Sequence, residues 1–346
     1  MGDGGGDTDT ARRCTTGQAT APGILATARR AGNFVPARMK TRIASLLASG
    51  TEIVCALGLL DRLVAISHEC DYPPEALDRP RVSRPRFDPS GLTSGEIDRA
   101  VRQALAEHGS VYEVDADALA RLEPDLVLTQ AVCEVCAVPG PGVRELVDQL
   151  GLGAEVLSLD AHDIDGILGA IEAVGRAAGA EARADALVRE LRARMTAVEQ
   201  AVAGAARPRV LALEWLDPPF APGHWVPEMV QRAGGVNLLG EAGQRSREVA
   251  WDEISGMDPD VLIIMPCGMG LEASRADADR HASRLADAAP RAISEGRAYV
   301  VDGSAYFNRS GPRVAEGLEI LAGLLHPARL PAPGGSAAAV WRPPAA

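Results

Sequence analysis

Short, uniformly apolar runs, each followed at once by a segment of helical period, recur along this chain and constrain its fold more than any other feature. Arg42-Ile43-Ala44-Ser45-Leu46-Leu47, Arg62-Leu63-Val64-Ala65-Ile66-Ser67 and Pro124-Asp125-Leu126-Val127-Leu128-Thr129-Gln130 fall in the first half. Arg209-Val210-Leu211-Ala212-Leu213, Asp260-Val261-Leu262-Ile263-Ile264-Met265 and Ala298-Tyr299-Val300-Val301 fall in the second. Runs of this kind read as buried strands, and strands alternating with helices build parallel sheets. With 346 residues there is chain enough for two such lobes, each with its own core.

The expected architecture is therefore α/β: two lobes with parallel sheets joined by a long rigid connecting helix, with the ligand cleft between the lobes. Residues 39–160 form the first lobe, 161–205 the connector and 206–330 the second lobe. In the connector Ile164, Ile167, Leu168, Ile171 and Val174, then Leu187, Leu191, Met195 and Val198, recur at helical spacing, and Gly175 and Gly179 mark a break or bend. Residues 1–38 and 331–346 lack a hydrophobic period and are expected to be disordered. Ser94 is expected to cap a helix through Ile97, Val101 and Leu105.

A net charge of −12 argues against nucleic acid or an anionic membrane surface as the main partner. No segment reaches the ~18 uninterrupted apolar residues of a membrane span, and neither Met1 nor Met39 opens a secretory signal. The expected location is the cytoplasm, where thiols stay reduced and free to ligate metal. Gly-x-x-x-x-Gly-Lys-Ser/Thr, a post-strand Gly-x-Gly-x-x-Gly and Gly-x-Ser-x-Gly are all absent, so neither nucleotide binding nor serine hydrolysis is indicated.

Strand ends carry the chemistry. Open α/β folds hold ligands beyond the carboxyl ends of their strands, and Cys133-Glu134-Val135-Cys136 follows such an end. That spacing aims two sulfurs at one point, and thiolate with imidazole favours zinc, cobalt, copper or iron. His68 and Cys70 follow a second strand, His224 a third and Cys267 a fourth, so His68, Cys70, Cys133, Cys136, His224 and Cys267 are the candidate metal ligands. A chance or redox Cys-x-x-Cys pair is the alternative. The remaining histidines, His108, His162, His281 and His326, are read as structural or surface residues.

Aromatic residues are only 3% of the chain, yet Trp215, Phe220, Trp225, Tyr306 and Phe307 all lie in loops after predicted strands, where they suit a flat ligand; for the 215–225 loop an aromatic plug between loop and lobe is the alternative. Glu214 and Asp217 are expected either as acceptors for an imidazole N–H or as solvated charges. Ser49 and Thr51 stand at a helix start whose free N–H groups receive a polar oxygen.

Several stretches carry a family resemblance. Ile43-Ala44-Ser45-Leu46-Leu47 with Thr51-Glu52, Asp71-Tyr72-Pro73-Pro74 and Pro124-Asp125-Leu126-Val127 lie in the first lobe. Asp217-Pro218-Pro219-Phe220, Gly234-Gly235-Val236-Asn237 and Tyr306-Phe307-Asn308-Arg309-Ser310-Gly311-Pro312-Arg313 lie in the second. Together, over about residues 42–326, they resemble the cobalamin-binding and ferric-siderophore-binding proteins of ABC importers, with the cobalamin branch nearest. The resemblance implies a ligand held between the lobes by aromatics, here Tyr72, Trp215, Phe220, Trp225 and Phe307, with Ser49, Glu52, Glu214, Tyr306 and Arg309 as further contacts.

The function expected on these grounds is a binding protein for a corrinoid (cobalamin-like) or related metal chelate, with an ABC transporter as the implied partner. A zinc- or cobalt-handling protein and an enzyme acting on a bound chelate are the alternatives.

Overall fold

The computed structural model describes Met1 and residues 41–130, 140–331 and 335–344. The first lobe opens with β1 (Ile43–Ser45), α1 (Ala48–Ala56), β2 (Leu63–Ala65) and β3 (Ser83–Pro85), then α2 (Ser94–His108) and β4 (Tyr112–Val114). It continues through α3 (Ala116–Leu122), β5 (Leu126–Thr129), α4 (Gly140–Gln149) and β6 (Glu155–Ser158). Four of these strands make a parallel sheet in the order β2-β1-β5-β6. Ile43, Ala44, Leu126, Val127 and Leu128 at its centre are buried, which is why those runs carry no polar alternation. β3 and β4 pair apart from it as a two-stranded antiparallel ladder.

The connector is a helix pair, α5 (Ile164–Ala177) and α6 (Glu181–Val202), rather than one rod. The break falls at residues 178–180, where Gly179 takes a φ of 63° and Gly175 lets the two helices close, since a Cβ there would clash with that of Ala184. At ~1.5 Å per residue α6 runs about 33 Å along the molecule. Near its start Arg183 donates to the carbonyls of Leu57 and Gly58 behind α1, and farther along Arg194 makes a bidentate pair with Glu319. One helix is thereby fastened to both lobes.

The second lobe contains β7 (Arg209–Leu213), β8 (Trp215–Leu216), β9 (Pro219–Ala221), α7 (Val226–Arg232), β10 (Val236–Asn237), β11 (Arg247–Glu248) and α8 (Trp251–Ile254). β12 (Val261–Ile264), α9 (Leu271–Arg280), α10 (Ala282–Ala288), α11 (Pro290–Ser294), β13 (Ala298–Val301), α12 (Gly303–Tyr306), α13 (Val314–Leu325) and β14 (Ala338–Val340) complete it. Its main sheet runs β10-β7-β12-β13-β14, parallel except at the last pair. β8, β9 and β11 form a small antiparallel sheet beside it.

Two expectations are corrected here. The chain beyond Pro331 is not without structure: β14 adds an antiparallel edge to β13, and Trp341 is fully buried with its indole N–H donating to Asp279 at 2.8 Å. The cap of α2 is Thr93, not Ser94: its Oγ accepts from the Glu96 N–H and the Glu96 carboxylate accepts from the Thr93 N–H, a reciprocal capping box. Among the described residues, no helix is long and apolar enough to cross a membrane.

Candidate functional site

Loops leaving the carboxyl ends of both sheets converge on one cavity of about 280 Å³. The first lobe brings Ser49 after β1, His68 and Glu69 after β2, and Gln130 after β5. The second brings Trp215 after β7, Cys267 and Met269 after β12, and Ser304, Asn308, Arg309 and Ser310 after β13. Phe87, Ile97, Val101 and Tyr112, from the segment around α2, supply an apolar side. This is the crevice position expected of open α/β sheets.

An ion-pair cluster ties the lobes together beside the cavity. Glu52, only 3% exposed in α1, accepts from Arg309 Nη1 at 3.1 Å and from Arg313 Nε and Nη2 at 2.9 and 2.6 Å. Arg309 also donates to both oxygens of Asp71, to the Glu69 carbonyl and to Ser304 Oγ. The Arg313 guanidinium stacks 4.5 Å over the Tyr72 ring, with Tyr306 on its other neighbour position at 5.6 Å. Burial opposes the charged forms of both arginines, but the carboxylates outweigh it and push their pKa values up.

On the cavity wall, His68 Nδ1 lies 2.8 Å from Ser83 Oγ, which fixes the ring plane, and the ring packs on Tyr112 at 4.7 Å. Its Nε2 is 3.1 Å from Glu69 Oε1, near enough for charge attraction though off the line of a good hydrogen bond. Contact with His68 holds the Glu69 carboxyl below its ordinary range despite burial, with Arg309 assisting. At Asp71 burial acts in the opposite direction, but the Arg309 hydrogen bond and charge win and lower its pKa.

Carboxyl groups depressed in the folded state contribute stability that is present above their unfolded pKa and lost as pH falls through the folded one. The stability gap between the wild type and Asp71→Asn in urea unfolding should therefore stand at neutral pH and close as pH drops below about 4. A gap that stays constant down to pH ~3 would remove Asp71 from the clamp.

The structure thus gathers Ser49, His68, Trp215, Cys267 and Arg309 at the cavity, with Glu52 directly behind Arg309. It places other expected contacts elsewhere. Cys70 is 1% exposed in the first-lobe core, with its sulfur 3.1 Å from Thr51 Oγ1, and burial raises its pKa. Phe307 is fully buried, and Trp225, itself buried, donates its indole N–H to the Phe307 carbonyl at 2.9 Å. Tyr72 is exposed beneath Arg313, Tyr306 packs against the core, and Phe220 pairs across from Trp215 in the small sheet. Glu214 meets the Cys267 N–H through its backbone carbonyl.

His224, in the left-handed region at φ 52°, stacks with His162 and Trp225 away from the cavity, and burial lowers its pKa. Cys133 and Cys136 lie outside the described residues. Among the described residues, no three His, Cys, Asp or Glu side chains converge to hold a metal ion.

Sequence reasoning did not single out Phe87, Gln130, Met269, Asn308 and Ser310. Phe87 was legible as one of four phenylalanines, set in a Pro/Arg-rich stretch with no core to join. Asn308 and Ser310 flank Arg309, and the Asn308 side-chain oxygen is buried without a hydrogen-bond partner.

Known proteins share this architecture. The family model described as periplasmic binding protein matches residues 43–305. The vitamin B12-binding protein of Vibrio cholerae serotype O1 is 24% identical over 281 residues, which cover 80% of this chain and 86% of that protein. The cobalamin-binding protein of Halobacterium salinarum is 26% identical over 294 residues, 82% of this chain and 69% of that one. A periplasmic heme-binding protein from Pseudomonas aeruginosa superposes with a TM-score of 0.64 at 21% identity, covering 86% of this chain and 98% of its own. With a family model that matches residues 43–305, from β1 into α12, the chain belongs to the periplasmic binding protein family.

Proposed function

We propose that this protein binds a corrinoid-type metal chelate between its lobes, holding it by aromatic faces and neutral polar groups. The charge state of the cavity wall carries this reading. Arg309 is the only Lys or Arg among the described lining residues, and Glu52 and Asp71 already take up its guanidinium. A porphyrin bearing two propionates would find no free cation there and would meet Glu69 instead. The amide-fringed rim of a corrinoid needs uncharged donors and acceptors, and Ser49, Gln130, Asn308 and Ser310 supply them. The names of the vitamin B12- and cobalamin-binding relatives agree with this class. The partner such a carrier implies is an ABC transporter.

Calorimetry and visible absorption titrations with cobinamide, cobalamin and hemin test it. Corrinoids should bind with a shift of their visible bands, and hemin at least ~10-fold more weakly, the equivalent of about 1.4 kcal/mol for one uncompensated carboxylate. Equal or tighter hemin binding overturns the corrinoid assignment.

A further inference from the structure

We propose that the segment 86–111, carrying α2, is the gate of the cleft, held shut by a buried latch in which Ser94 bonds Asp277 and His281 of the opposite lobe. The inference rests on the chelate-binding reading for its cargo, but the gate itself is argued from geometry.

Both ends of the segment are pinned side by side. β3 and β4 pair antiparallel, Pro85 opposite Tyr112, and the Arg86 N–H donates to the Val111 carbonyl at 3.0 Å. This ladder is no strand pair of the four-stranded sheet and is anchored to its edge through the Ile66 hydrogen bonds with Pro80 and Val82, so the segment can swing on a fixed neck without breaking a core strand.

The body of the segment belongs to the first lobe by sequence yet docks on the second. Ser94 Oγ donates to Asp277 Oδ1 at 2.9 Å and stands 3.3 Å from His281 Nε2. Gly95 lies against the Asp217 side chain, and Arg102 Nη2 donates to Glu248 Oε2 at 2.9 Å. Between these fastenings Phe87, Ile97 and Val101 close over the cavity.

The latch is a weak fastening. Asp277 is fully buried, its Oδ2 has no hydrogen-bond partner, and burial raises its pKa. A half-satisfied buried carboxylate opposes the docking it takes part in, and the Arg102 pair is exposed and worth little.

With the latch closed the cavity of about 280 Å³ sits at the floor of the roughly 300–1,000 Å³ range of pockets for drug-sized ligands. A macrocycle with its side chains needs the upper end of that range or more. Undocking of α2, which carries the apolar side of this cavity, would widen it for a macrocycle to load.

Two variants test the gate. A Cβ on Gly95 would lie 2.9 Å from Asp217 Cγ. It is thus within about 4.4 Å of the Asp217 Cβ, inside the range of a disulfide. The Gly95→Cys/Asp217→Cys pair, oxidised and verified by peptide mass mapping, should bind cobinamide at least ~10-fold more slowly than the same protein reduced. Ser94→Ala should speed association several-fold instead.

Hydrogen exchange without any ligand supplies the independent arm: the α2 amides should open as a unit faster than those of α6, and slow on oxidation of the pair. Concerted opening without cobinamide binding would sink the chelate reading and leave the gate. Exchange in α2 as slow as in α6, or equal cobinamide association in the oxidised and reduced pair, overturns the gate.

Discussion

Replacing Glu52 with alanine is expected to lower the unfolding free energy by about 3–5 kcal/mol, the cost of breaking a buried ion pair from one side. Glu52 takes three charge-assisted hydrogen bonds from two arginines of the other lobe. Without it Arg309 keeps Asp71, whereas Arg313 loses its hydrogen-bonded carboxylate and keeps the faces of Tyr72 and Tyr306 and the weaker attraction of Asp71, Asp302 and Glu316. The Arg313 side chain is 12% exposed, so water cannot replace the lost carboxylate at full strength. Removing Arg313 as well should recover part of the loss, because the uncompensated charge is then gone. Urea unfolding of the wild type, both single variants and the double variant reads this out. A loss under ~1 kcal/mol for Glu52→Ala would reduce the cluster to the standing of a solvated surface pair.

Phe307→Ala is expected to cost about 3–5 kcal/mol of stability, the range for emptying a buried phenyl site, while the folded protein keeps its affinity for the chelate. Phe307 has no exposed surface and packs in the core continuous with α13 and α7. Trp215→Ala should behave in the opposite way. Its ring lines the cavity and is only partly buried, so affinity should fall about tenfold with little change in stability. Thermal unfolding and cobinamide titration of the two variants make the comparison. Lost affinity in Phe307→Ala with unchanged stability would bring that ring back into the cleft.

These two aromatics mark the limit of what strand-end reasoning resolves. A ring in a loop after a strand can turn down into the core or out toward the cleft, and the local pattern is the same for both. Phe307 turns down because the buried faces of α7 and α13 offer it apolar contacts. Phe87 turns to the cavity because its segment leaves the sheet. The same ambiguity governs Cys70, which follows its strand as His68 does but bonds Thr51 inside the lobe.

Ser94 shows it for a polar residue. Thr93 satisfies the helix start, and that frees the Ser94 hydroxyl to reach Asp277, 183 positions away.

The alternation of the main strands and helices, the parallel core of both sheets, the crevice at their carboxyl ends and the break in the connector were written in residue pattern, because backbone geometry repeats over a few residues and leaves its period in the chain; β14 and the small antiparallel ladders were not. The pairing of Glu52 with two arginines from the other lobe, the burial of Trp341 and the crossing of α2 to Asp277 were decided only by the tertiary fold. Each joins groups far apart in sequence, and such contacts depend on which surfaces remain to be covered once the sheets have formed.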